Sequence, residues 1–452
     1  MSVSSVLSSV ALRASQLQEV SARETGWFFW IRIALVAVLY AAPLAFGAVQ
    51  VWAWSALAVL SVVLLVCWVV GCALKKQITV RWFALGTPLL LLLLLGAIQF
   101  IGGISLDKIA TREALIKLAT DFLIFFLVGQ LFAAVTRKFW QGFGLTVVFY
   151  VFVLSLFAIV QFFSRPDLVY WSVKPQWGGA IFGPYINHNH YAGLMELLLP
   201  IAGAYVLGHW SRNPLRWVGA FAVLLAFASV ELSGSRGGVI SLLIEMGIWG
   251  VLFGRSRLVG RRRAAAISAI MAFSVVAMLL LIAPPEILER YQTLIKSPDL
   301  SLGMRKQMLM DTLHLFRDHP WLGTGLGSLE TAYPRYQSVF RERVVEHAHN
   351  DFAELLAETG IVGMGLALIG VAVFLTTAFH KAKAKVDDLG GCIRLGAAVG
   401  CCGLLVHSLS DFNLHVPANA AWFVACAAIS QLPHFPQLRE RARSRHREVL
   451  TN

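Results

Sequence analysis

Apolar residues along the chain come in blocks of about 20, each closed by polar or charged positions, and that is the length that crosses a bilayer as a helix. The blocks fall near 28–47, 50–73, 82–101, 114–135, 144–163, 190–208, 216–233, 237–254, 264–283, 352–378, 393–410 and 417–432. This pattern predicts an all-α polytopic membrane protein of about 12 transmembrane helices, with one large extramembrane loop. Three regions follow: an N-terminal membrane region over 1–283 with nine spans, a loop over 284–351, and a C-terminal membrane region with a basic tail over 352–452. Within the loop, Met304, Met308, Leu309, Leu313 and Phe316 recur at helical steps from Ser301 to Asp318, and Pro320 to Gly327 breaks the pattern. Short helices lying over the mouth of the bundle are expected there.

Placing the N-terminus inside puts 23 Lys and Arg residues on inside segments, while the short outside connections hold only Lys108, Arg112, Arg165, Lys174 and Arg236. The long loop carries eight basic and eight acidic residues up to Glu346 and is nearly neutral. The positive-inside bias therefore puts both termini in the cytoplasm and the loop outside. The first block follows a basic, polar leader, but its length favours an uncleaved span over a signal peptide.

Composition sharpens the picture: 58% of residues are hydrophobic and only 14% charged, against about 25% charged in an average soluble domain. An ordinary soluble enzyme is excluded. The formal charge of +13 has its explanation in the inside loops, so no nucleic-acid partner is expected. All six cysteines fall in or beside apolar blocks and read as small buried hydrophobes rather than a disulfide framework.

Against that apolar background, four polar clusters stand out. They are Gly183-Pro-Tyr-Ile-Asn-His-Asn-His-Tyr191, Ser233-Gly-Ser-Arg-Gly-Gly238, Glu346-His-Ala-His-Asn-Asp351 and Asp411-Phe-Asn-Leu-His-Val-Pro-Ala-Asn419. The charge-derived topology puts all four on the outer face, whereas unrelated capping motifs would divide between the two sides. Arg236 is the sharpest residue, since it interrupts apolar sequence from Trp217 to Phe253, and an ionisable side chain near membrane depth is a functional candidate. The competing reading is an arginine snorkelling to the headgroups from a glycine-rich turn.

His347 and His349 lack a cysteine or a nearby acidic partner at zinc spacing, so no metal and no cofactor is expected there. A neutral imidazole at a span start, followed by Asn350 and Asp351 as helix caps, suits a general base or a hydrogen-bond donor; a plain capping motif is the alternative. Arg305 and Lys306 have Asp311 and Asp318 nearby in sequence, which also fits a solvated surface. Gly323-Thr-Gly-Leu-Gly327 looks like a phosphate loop, but no strand precedes it. Asp411 is either a helix cap or a sugar-binding carboxylate.

From Gly183 to Asn419 these motifs resemble the O-antigen ligase and O-antigen polymerase superfamily. The resemblance rests on residues 183–193 and 233–238, on Arg305 followed by His319-Pro-Trp-Leu-Gly-Thr-Gly-Leu-Gly327, and on His347-Ala-His-Asn-Asp-Phe-Ala-Glu354 running on to Gly360. Those proteins are integral-membrane glycosyltransferases that use undecaprenyl-pyrophosphate-linked glycans at the periplasmic face of the bacterial inner membrane. The resemblance implies that Arg236, Arg305 and His349 are catalytic, with His349 ahead of His347 as the base. Substrate contacts are expected at His347, Asn350, Asn187, His190 and Asp411.

The implied reaction moves the glycan, with inversion and without a metal, to a sugar hydroxyl of lipid A-core. Guanidinium groups would stabilise the leaving pyrophosphate and an imidazole would take the hydroxyl proton. Polymerisation, with a second lipid-linked repeat unit as acceptor, is equally compatible with the sequence, and transfer to a protein serine is a variant. A transporter of polyprenyl-linked sugars is the reading from another class. It predicts polar breaks at the bilayer midplane and two related halves, whereas the clusters here crowd the outer ends.

The topology is checked by reporter fusions: one at Thr331 reads as periplasmic and one at Arg261 as cytoplasmic. The reverse pattern would overturn the orientation and the shared outer face of the four clusters.

Overall fold

The computed structural model describes residues 26–76, 78–175, 180–208, 216–253, 300–339, 344–380 and 388–433. These residues form helices α1 (Gly26–Leu44), α2 (Val51–Leu74), α3 (Gly86–Ile101), α4 (Lys108–Phe132), α5 (Arg137–Ser164), α6 (His188–Gly208), α7 (Arg216–Leu232) and α8 (Arg236–Phe253). There follow α9 (Leu300–Asp318), the single turn α10 (Leu329–Ala332), α11 (Asp351–Phe379), α12 (Leu389–His407) and α13 (Pro417–Gln431). No strand occurs among the described residues. Seven of the helices, α1, α2, α4, α5, α6, α11 and α12, are long and apolar enough to cross a membrane, and α3 and most of α7 are shorter apolar helices. The chain is a membrane protein.

Eleven of the twelve expected spans coincide with described helices; the ninth, 264–283, lies outside the described residues. The helix expected at 301–318 is α9, and the chain breaks after it as anticipated. Where boundaries differ, capping explains the difference. The Asp107 carboxylate accepts from the N–H groups of Ile109 and Ala110, so α4 starts well before its first unbroken apolar run. Asp388 does the same for Gly391 and starts α12 earlier than hydropathy suggests.

The bundle is built around α6 and α12, which are buried on nearly all sides, while helices such as α2 present Val51, Trp52, Val59 and Val62 outward as an apolar surface. Small residues set the central approach. A Cβ added at Gly396 would lie 2.5 Å from the Pro200 carbonyl oxygen, and one at Gly400 would lie 2.7 Å from that of Glu196. Glycines one turn apart therefore let the α12 backbone touch α6, the usual device where lipid supplies no hydrophobic drive between helices.

The 319–327 segment is clasped to α11 at its kink, where Gly360 has φ +63°. Gln99 donates to the carbonyls of Leu322 and Glu358 and accepts from Leu326 N–H, and the Glu358 carboxylate accepts from the N–H groups of Gly327 and Leu329. The glycine-rich run thus spends its N–H groups inside the protein, and its resemblance to a phosphate loop has a packing origin.

Gly400→Leu is expected to abolish accumulation of folded protein, because overpacking at rigid backbone costs about 1–3 kcal/mol or more. Gly365→Ala, whose added Cβ meets nothing within 4 Å, is the neutral comparison. Detergent-extracted yield and thermal unfolding of the two variants make the check.

Candidate active site

The turn from Ser408 to Val416, between α12 and α13, meets the N-terminal ends of α6, α8 and α11 and the side of α9. At its centre is Asp411, which has no exposed surface. Its carboxylate accepts from the Asn189 amide of α6, from Phe412 N–H at 2.9 Å and from His349 Nδ1 at 3.2 Å. Arg305 of α9 brings Nη2 to 3.5 Å from the same carboxylate and donates from Nη1 to the Ser410 carbonyl at 2.6 Å. Burial pushes the Asp411 carboxyl up, but the His349 hydrogen bond and the positive charge around it, that of Arg305 included, more than offset this and hold it well below the usual carboxylate range. Asp411 is therefore an ion at the heart of the cluster.

His349 sits in the extended segment before α11 with φ +51°, a left-handed conformation that costs an L-residue about 1–2 kcal/mol. Its surroundings hold it there. Ala348 N–H donates to Glu354, the Asn350 side chain caps Ala353 N–H, and Asp351 N–H donates to the Ser408 carbonyl. Strain of this kind persists where the surrounding structure over-determines it and is common in active sites. Because the ionised Asp411 can only accept, the bond between them fixes a proton on His349 Nδ1, and in the neutral ring Nε2 is then the free lone pair.

Phe412 is the apolar counterpart of Asp411. His347 stacks on it with centroids 4.3 Å apart, and His349 and His190 meet it edge-on at 4.9 and 4.7 Å. Asn187 caps the start of α6 by accepting from Asn189 N–H, and its amide lies 3.4 Å from His190 Nε2. Arg236 opens α8, half-buried, and the next residue touches the same turn: a Cβ at Gly237 would lie 2.6 Å from the His407 ring and 3.2 Å from Ser410 Oγ. All four sequence clusters thus converge on residues 407–416.

Several partners were not visible in the sequence. His407 donates from Nδ1 to Glu196 at 2.7 Å in a wholly buried pair between α12 and α6. His415 has Nδ1 2.7 Å from Asp351 and Nε2 3.3 Å from Glu354, and His347 Nδ1 lies 2.8 Å from the same Glu354 oxygen. The absence of an acidic partner for the alternating histidines is therefore a property of the local sequence only. His349 turns to Asp411 and His347 to Glu354, whose place one turn after Asp351 on α11 was the available signal. Burial alone would push the His415 imidazole down, but the Glu354 and Asp351 carboxylates hold it up, to about 10. Arg305 pairs with Asp411 rather than with Asp311, which instead accepts from Tyr333 and Ser338.

Behind His347 and His415 lies a cavity of about 440 Å³ with apolar walls that include Trp54, Leu57, Leu89 and Phe423 and with Lys117 on one side. Arg305, His349 and Asp411 do not line it.

Residues 198–368 match the family model described as O-antigen ligase. The matched segment runs from within α6 into α11 and contains Arg236, Arg305, His347, His349, Asn350 and Glu354; Asn187, His190, Asp411 and His415 fall outside it. No curated protein matches the chain.

His349→Asn and His349→Val both lose the imidazole bond to Asp411, but asparagine tolerates positive φ, so His349→Val is expected to be the less stable of the two by about 1–2 kcal/mol. Equal unfolding temperatures for the two variants would show that the strain is absent. Asp411 gives a pH signature. Its folded-state pKa is depressed, so its contribution is full above the unfolded value of about 3.9 and is lost as pH falls through the folded one. The stability difference between the wild type and Asp411→Asn is expected to shrink in strong acid, below the unfolded carboxylate value of about 3.9; a difference that stays unchanged there would contradict an ionised Asp411.

Proposed function

With residues 198–368 assigned to the O-antigen ligase family, we propose that this protein transfers a glycan from undecaprenyl pyrophosphate to a sugar hydroxyl of lipid A-core at the periplasmic face of the inner membrane. The observation that carries this reading is the convergence of Arg305 and His349 on one buried carboxylate beside the N-terminal end of α8, where Arg236 lies. A base and a cationic anion site then share one support.

In the proposed reaction the acceptor hydroxyl attacks the anomeric carbon from the face opposite the pyrophosphate. The new C–O bond forms as the glycosidic C–O bond to phosphate breaks, and the bonding pair leaves with undecaprenyl pyrophosphate. The configuration at that carbon inverts. The hydroxyl proton passes to His349 Nε2, with Asp411 stabilising the imidazolium and fixing the ring, and it then exchanges with water. Such base assistance is worth about 100- to 10,000-fold. Arg236 and Arg305 take the charge that develops on the leaving group, a task for which a planar, always charged fork is suited. Arg305 has a second task, since the same guanidinium holds the Ser410–Asp411 turn. Asn187, His190, His347 and Asn350 stand around the base as sugar or phosphate contacts. The twelve-span topology with both termini cytoplasmic belongs to this reading.

Purified protein incubated with an undecaprenyl-pyrophosphate oligosaccharide, and offered lipid A-core or further donor in separate reactions, tests it. Product on lipid A-core is expected. Product only with further donor would make the protein a polymerase of the same chemistry, and no glycan transfer in either reaction would overturn the proposal. Arg236→Lys is expected to lower turnover by at least about tenfold, roughly 1.4 kcal/mol in the barrier, while the protein still accumulates. Near-normal turnover would return Arg236 to a snorkelling role.

A further inference from the structure

We propose that His347, Glu354 and His415 form a binding site for a divalent transition-metal ion of the zinc type, open to the cavity behind them. His347 Nδ1, Glu354 Oε1 and His415 Nε2 all lie within 4.8 Å of one another, with His415 Nε2 3.3 Å from Glu354 Oε1 and His347 Nδ1 2.8 Å from it. A tetrahedral ion with ligands at about 2.0–2.1 Å holds its donor atoms about 3.4 Å apart. Of the three pairs, His415–Glu354 already has that spacing, His347–Glu354 needs an opening of about half an ångström, and the two ring nitrogens, within 4.8 Å of each other, need at most a modest closing. Two imidazoles and one carboxylate, with a fourth position left to water from the cavity, is a donor set that zinc-type ions favour over magnesium or calcium.

The outer groups are arranged as such a site requires. Asp351 accepts from His415 Nδ1 at 2.7 Å, so Nε2 is the nitrogen on the Glu354 side, and a metal ion binding there displaces its proton. The other Glu354 oxygen is taken by Ala348 N–H at 2.9 Å, so Oε1 is the one that faces the two rings. A carboxylate behind a ligating histidine sets its tautomer and raises its basicity. The lining points the same way: acidic side chains outnumber basic ones around the cavity, with Glu113, Glu330 and Glu346 set against Lys117. A bound ion would tie the first turn of α11 to the α12–α13 turn and to the strained segment that carries His349. Its role is to position that segment, and the transfer chemistry needs no step through it.

The experiment uses the full chain in detergent, stripped with a chelator and titrated with Zn²⁺ and, for its visible spectrum, Co²⁺. One equivalent is expected to bind, with Co²⁺ giving the absorption of a low-coordinate nitrogen and oxygen site. Glu354→Gln and His347→Ala should each weaken binding by at least about tenfold, and Asp351→Asn by about 10- to 100-fold. His349→Asn should retain the full equivalent. Absence of saturable binding by the wild-type protein, or binding unchanged in both Glu354→Gln and His347→Ala, would overturn the proposal. Because the readout is metal bound and not glycan transferred, this outcome is separable from that of the transferase assay.

Discussion

An ionised carboxylate taken wholly out of water costs several kcal/mol unless other groups pay for it, and Asp411 is such a group. Its compensation arrives from three directions: an amide of α6, the imidazole before α11 and a guanidinium of α9. Each donor is drawn to one point by the same charge, so a structural requirement and a chemical arrangement coincide. The ion fixes which nitrogen of His349 carries the proton, brings Arg305 within reach of the same turn, and anchors the polypeptide where α8, α11 and α12 meet.

That anchoring depends in turn on how closely the central helices approach. Gly396 and Gly400 bring the α12 backbone against α6, and the same contact brings the Glu196 carboxylate to His407. The His407 ring then fills the space beside Gly237, where any larger residue would collide, and so sets the position of the first turn of α8 and of Arg236. The polar cluster at the bundle's end and the small residues in its middle are thus one construction. Phe412 supplies its apolar floor, with three histidines packed on a single ring.

Much of this was legible in the sequence because hydropathy and helix periodicity are local. Apolar blocks located eleven described helices, and polar residues standing in apolar surroundings marked Arg236, His349 and Asp411. What sequence reasoning missed has a common physical form. The partners of these residues are brought in by packing across long stretches of chain: Glu196 lies 211 residues from His407, and Asp411 lies 62 from His349. Proximity in sequence misled at Arg305, whose near neighbour Asp311 is already occupied by Tyr333 and Ser338. It misled again at His347, whose acidic partner sits across a helix cap. The positive φ of His349 has no signature in a histidine, since only a glycine would have announced it.

The central claim is that Asp411 and His349 act as a unit, the carboxylate working through the imidazole it holds. A double-mutant cycle on transfer turnover measures this directly, using Asp411→Asn, His349→Asn and the double variant, each verified as folded. Residues that act as a unit are strongly non-additive, so the double variant is predicted to be about as slow as His349→Asn alone. Turnover losses that multiply in the double variant would show that the two residues act independently and would contradict the account.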